Sequence, residues 1–154
     1  LDVLFTKDQR PTPIYWVYRK QAEMVGGTLL SSQSSSPRIV ALATRDSQGT
    51  ISLLLGRSSC GTTGAWCNGS PYQTNDTPLP SVPVTISVNN VLAASSVDVH
   101  ITRIPNENIL NALPLPLDEG TTRISVQNGT VTFSISQFRD GDAYYITLTS
   151  IVTL

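Results

Sequence analysis

Charge is scarce in this sequence. Asp, Glu, Lys and Arg make up 14% of its 154 residues and leave a net charge of −1. The basic residues are scattered, and nucleic acid needs them gathered on one face, so no nucleic-acid partner is expected. Histidine occurs once, at His100, and cysteine twice, at Cys60 and Cys67. Two thiols and one distant imidazole do not complete a four-ligand metal site, and no cofactor is expected either. There is no glycine-rich phosphate loop and no nucleophile elbow, despite the many serines. No internal repeat or heptad is present. No apolar run approaches the about 20 residues that span a bilayer, so no membrane partner is expected. No signal peptide opens the chain, which begins at Leu1 rather than Met, and the expectation is a mature or excised piece. Residues 1–5 are read as an extended arm.

What is present is alternation. Hydrophobic residues reach 40%, enough for the core of one domain. Asn128-Gly129 is the strongest turn signal, because a type I′ turn needs two residues that tolerate positive φ. Around it Ile124, Val126, Val131 and Phe133 share one face, and Arg123, Ser125, Thr132 and Ser134 share the other. Asp140-Gly141 leads into Tyr144, Ile146 and Leu148, again alternating. The stretch from Thr121 to Leu148 therefore predicts an antiparallel meander with one dry face.

Upstream, Thr12 with Pro13 opens the only helix, and Gly26-Gly27 ends it. Tyr15, Tyr18 and Ala22 recur on one of its faces, which reads as a docking stripe rather than a ligand platform. Short strands follow at Thr28 to Ser31, Arg38 to Thr44, Ile51 to Leu55, Val82 to Val88 and Val97 to Ile101. Pro105 to Gly120 reads as a Pro- and Leu-rich linker. The fold class is mainly β: an antiparallel β-sandwich of about eight strands with one N-terminal helix. Residues 1–27 form the arm and helix, and residues 28–154 the sandwich, a single compact unit whose two dry faces meet.

Ser58 to Pro80 is a long irregular loop, and loops of this length carry function or move. It holds both cysteines, which in so polar a setting favour a Cys60–Cys67 disulfide over two buried thiols. Sequons at Asn68, Asn75 and Asn128 suit the same oxidising, secreted setting, although Asn128 sits in a tight turn. The loop also carries Trp66 and Tyr72 among Asn68, Gln73, Asn75 and Asp76. Sugar rings stack their apolar faces on aromatics, and amides and carboxylates bond their hydroxyls. These six residues are the candidate carbohydrate site. Trp66 equally suits an inward plug at the sandwich end. His100, opposite in phase to Val99 and Ile101, reads as a surface histidine. Asp140 and Asp142 read as turn stabilisers; no pair of carboxyls is spaced across a sugar, and no catalytic residue is assigned.

Three stretches carry a family resemblance. The run from Thr12-Pro-Ile-Tyr-Trp-Val-Tyr to Met24 resembles the final barrel helix of clan-A retaining glycosidases, such as β-xylosidases of family 39 and α-arabinofuranosidases of family 51. Arg38 to Gly56 is similar to the first hairpin of their accessory sandwich. Asn128 to Phe138 with Asp142 to Leu148 is similar to its closing strands. The resemblance implies an accessory C-terminal β-sandwich without its (β/α)₈ barrel. The catalytic glutamates of that clan lie on barrel strands, and no position here matches them. Two main functions are thus expected: a secreted lectin-like module that binds a glycan, or a structural domain that packs against a barrel or self-associates through the helix. An independent glycosidase is the least supported.

Overall fold

The computed structural model describes residues 4–57, 80–91, 95–105 and 111–151. The proposed carbohydrate residues Trp66, Tyr72, Asn68, Gln73, Asn75 and Asp76, and the pair Cys60 and Cys67, lie outside the described residues.

The helix α1 runs over Pro13–Glu23. Thr12 precedes it in an extended conformation, and Pro13 supplies a φ already suited to the first turn. The Thr12 side chain does not cap the helix; its hydroxyl donates to the Leu4 carbonyl at 3.1 Å. Of the segment ahead of the helix, residues 4–11 are described. They turn back on themselves, with Phe5 bridged to Pro11 and the Thr6 amide donating to the Arg10 carbonyl. Past the helix, Gly26 takes a φ of +96°, where a side chain would be strained. Gly27 is held against the sheet; a Cβ there would sit 3.1 Å from Cβ of Thr44.

Eight strands follow: β1 (Thr28–Leu30), β2 (Ile39–Arg45), β3 (Ile51–Arg57), β4 (Val82–Val88), β5 (Ser96–Ile104), β6 (Leu117–Ser125), β7 (Val131–Phe138) and β8 (Ala143–Ile151). They form a six-stranded sheet in the order β1-β2-β3-β8-β5-β6 and a two-stranded sheet, β4-β7. All pairings are antiparallel. The fold is a β-sandwich, mainly β, as alternation implies.

The expected meander is not what forms. Asn128 and Gly129 do take positive φ, at 51° and 74°, and Gln127 and Thr130 exchange two backbone hydrogen bonds of 2.9 Å. Pairing stops there. β6 leaves to pair with β5, and β7 pairs with β4 in the other sheet. Asp140-Gly141 is a second corner, carrying the chain from β7 back to β8 in the larger sheet. The apolar row was read correctly, but its members face one another across the interior instead of lying side by side. A period of two fixes which side of a strand is dry and says nothing about which strand lies beside it.

The core is the meeting of those rows. Val97, Val99, Ile146 and Leu148 on the large sheet oppose Val131, Phe133 and Ile135 on the small one, all buried. Phe138 and Tyr144 close one end, edge to face, with centroids 4.8 Å apart. Each such aliphatic side chain contributes about 1.5–3 kcal/mol by leaving water. β6 begins at Leu117, inside the stretch read as linker, and is exposed along its length except at Ile124, so it carries no alternation to read.

Candidate functional site

Helix α1 rests on the larger sheet by a side other than its Tyr15–Tyr18–Ala22 stripe. Pro13 and Met24 are buried. The Trp16 indole N–H donates to the Leu113 carbonyl at 2.7 Å. The Lys20 ammonium lies 4.7 Å from the ring centroid of Tyr145 on β8 and pairs with Glu23 at 2.8 Å. Positions 13, 16, 20 and 24 recur at three and four, which defines the inward face. The expected stripe divides. Tyr15 is half-buried, tilted against Phe5 at 5.0 Å between centroids. Tyr18 and Ala22 point away from the sheet.

The outward side is open and mixed: Tyr18 and Ala22 lie exposed among Arg19, Gln21 and Glu23. Tyr18 is 60% exposed, Val25 81% and Leu29 69%. Tyr18 lies on the helix, Val25 just past it and Leu29 on β1; single exposed apolar residues are ordinary, and only a contiguous group of them marks an interface. Leu115 and Leu117 are also exposed.

At the β7–β8 corner, Asp142 does more than the turn role expected of it. Asp142 is buried, with Oδ2 at 3.3 Å from Nε of Arg103. Arg103 also reaches Glu119 at 3.6 Å. Asp142 is therefore more than a turn stabiliser: it neutralises a guanidinium at the end of the core. Burial raises the Tyr144 phenol above its ordinary pKa, and its hydroxyl donates to the Gln137 carbonyl. Arg57, also buried, donates to the carbonyls of Phe138 at 2.7 Å and Pro80 at 2.9 Å. One guanidinium thus ties β3 to both β7 and the entry to β4. Glu119 and Asp142 thus share one arginine.

His100 is on the outer face, as alternation implies, with Nε2 2.9 Å from Asp118 Oδ1. That contact and the Gly120 amide hold the Asp118 carboxyl below the usual range. Beside it, Arg123 does the same for Asp98. Both pairs are exposed and weak. Asn128 is exposed at its corner, and the Thr130 hydroxyl of the same sequon donates to the Asn89 side chain at 3.1 Å.

Between β4 and the inner side of β2 and β3 lies a cleft of about 960 Å³. Its floor includes Ala41, Ala43 and Leu53, and serines between 31 and 36 form a rim. No aromatic residue is among the described residues lining it, so a sugar ring would find no stacking face there.

No protein-family model matches the chain, and no curated protein does. Solved structures do. N2152 from Neocallimastix frontalis is 17% identical over 97% of this chain, with a TM-score of 0.73. The GH39 enzyme from Xanthomonas axonopodis pv. citri is 14% identical over 96%, with a TM-score of 0.66. A monomeric β-xylosidase from Caulobacter crescentus CB15 is 15% identical over 96%, with a TM-score of 0.63. The chain spans about a third of each of these proteins, at 33%, 32% and 32%. At such identities the likeness is one of fold: this sandwich, helix included, occurs as a minor part of larger chains.

Proposed function

We propose that this chain is an accessory β-sandwich domain that packs against the (β/α)₈ barrel of a glycoside hydrolase. The observation that carries the reading is the outward side of α1, with Tyr18, Ala22 and Val25 open to solvent on a helix whose opposite side is already docked. The fold likeness supports it, since two of the larger matched proteins are a GH39 enzyme and a β-xylosidase. Burying Tyr18, Val25 and Leu29 offers about 1.5–3 kcal/mol each, a large share of what a domain interface needs. The chain should self-associate, or bind a hydrophobic dye, when no barrel covers this side. Sedimentation of the wild type against the double variant Tyr18→Ser, Val25→Ser tests this. A wild type that stays monomeric and binds no dye rules the reading out.

A second reading is a secreted carbohydrate-binding module. Its support is the composition of the loop: Trp66 and Tyr72 beside Asn68, Gln73, Asn75 and Asp76. Trp66→Ala should then abolish retention on a glycan array while leaving the melting temperature unchanged. Non-reducing peptide mapping of Cys60–Cys67, and glycosidase-sensitive mass at Asn68 and Asn75, would check the compartment.

A further inference from the structure

The corner at Asn128-Gly129 sets a side-chain amide next to a glycine nitrogen that the fold leaves unused. Asn128 is exposed, and among the described residues neither its side-chain amide nor the Gly129 N–H makes a hydrogen bond. Gly129 has no Cβ, so nothing bulky separates its nitrogen from the Asn128 side-chain carbonyl. The corner is also lightly held. Pairing between its two arms ends at the Gln127–Thr130 bonds, because β6 and β7 part into different sheets. One further bond closes it, from the Val91 amide to the Gly129 carbonyl at 2.9 Å. A hairpin tip would be backed by a full ladder; this corner is not, so a brief local opening costs little. The Asp140-Gly141 corner differs. There the glycine amide is engaged, donating to the Arg57 carbonyl at 3.0 Å.

We infer that Asn128 is a site of spontaneous deamidation in the folded protein. When the corner opens, the Gly129 nitrogen gives up its proton to water or hydroxide and bonds to the Asn128 side-chain carbonyl carbon. The bond from that carbon to Nδ2 breaks, and Nδ2 leaves as ammonia with a proton from water. The product is a five-membered imide that holds both carbonyl carbons of residue 128 and the Gly129 nitrogen. Water then adds to one of those carbons, whose bond to the nitrogen breaks. Opening at the side-chain carbon leaves aspartate. Opening at the main-chain carbon leaves isoaspartate, in which the main chain runs through Cβ. Nothing is oxidised or reduced: one water enters and one ammonia leaves. Isoaspartate lengthens the main chain between Gln127 and Thr130 by one carbon, so those two residues no longer exchange both of their bonds. Either product puts a carboxylate at the junction of the two sheets and removes the sequon at Asn128.

The test incubates the full chain, produced in a host that attaches no N-glycans, at mildly alkaline pH, once folded and once in urea. Peptide mapping that separates aspartyl from isoaspartyl forms is the readout. Asn68 is also followed by glycine but lies outside the described residues, so the comparison is with Asn89, Asn90 and Asn111, whose next residues are Asn90, Val91 and Ala112. In the folded chain, conversion at Asn128 should run at least about tenfold faster than at those three, a barrier difference of about 1.4 kcal/mol, and mostly to isoaspartate. The isoaspartyl fraction should melt about 2–4 °C lower and exchange faster at the Gln127, Thr130 and Val91 amides. Asn128→Gly tolerates the same φ and lacks the reacting amide, so it should age without that loss. Conversion at Asn128 no faster than at the other three overturns the inference. So does conversion that is rapid in urea and absent from the folded chain, because the corner would then be shut.

Discussion

The inner and outer sides of the large sheet are built from similar residues to different ends. On the inner side, Val97, Val99, Ile146 and Leu148 are all but inaccessible and share one core cluster with residues of β7 and β4. On the outer side, α1 covers only part of the surface, and Tyr18, Val25, Val40 and Leu29 remain 60%, 81%, 71% and 69% exposed. The inside is satisfied within the chain. The outside keeps several apolar side chains open to solvent. Hydrophobicity alone does not separate the two; what separates them is whether a facing layer exists.

The sharpest way to break this contrast is to hollow the inside. Phe138→Ala removes a ring with no exposed surface that packs edge to face on Tyr144, and should cost about 3–5 kcal/mol in denaturant unfolding. A smaller loss would mean that the sandwich end collapses readily. Next comes the tie between layers. Arg57→Met keeps the aliphatic stem but leaves two carbonyls without their charged donor, and should cost about 2–3 kcal/mol. Hydrogen exchange should show the release at both Phe138 and Pro80 ends; release at one end only would show that the two bonds do not act together.

On the outside the expected effects shrink. Trp16→Phe keeps most of the ring and loses its bond to Leu113, for about 1 kcal/mol, with faster exchange of the Leu113 amide while the core is unaltered. Faster core exchange would contradict a separation of the inside from the outside. The smallest effect belongs to acid. Asp98 and Asp118 are held below the usual carboxylate range by Arg123 and His100 respectively. Their contribution is therefore present above the ordinary Asp pKa and is lost as pH falls through their depressed values. Asp118 is exposed and Asp98 partly exposed, both on the wet face, so the melting temperature should barely change between neutral pH and the ordinary Asp range. A steep loss there would point to a buried carboxylate instead, and Asp142, paired with Arg103, would be the first to replace.

Much of the architecture was legible beforehand. The helix bounds followed from Thr12-Pro13 and Gly26-Gly27, and β4 was read at Val82 to Val88, where it is found. β5 runs further than expected, to Ile104, because Arg103 interrupts the apolar row while still pointing inward to Asp142. That buried charge left only a faint trace, an arginine in phase with the core. The carbohydrate candidates lie outside the described residues and stay a proposal. The docking stripe was half read: a helix with apolar residues on two sides does not announce which side its own domain takes.

Taken alone, the order of side chains settled the dry and wet sides of each strand, the two positive-φ corners and the position of the helix, because these depend on neighbours within a few residues. Which strand lies beside which, why Asn128-Gly129 joins two sheets instead of two strands, and which helix side stays uncovered were decided only by the assembled fold. Those outcomes depend on competition between distant surfaces for the same apolar area, and no local pattern records who wins it.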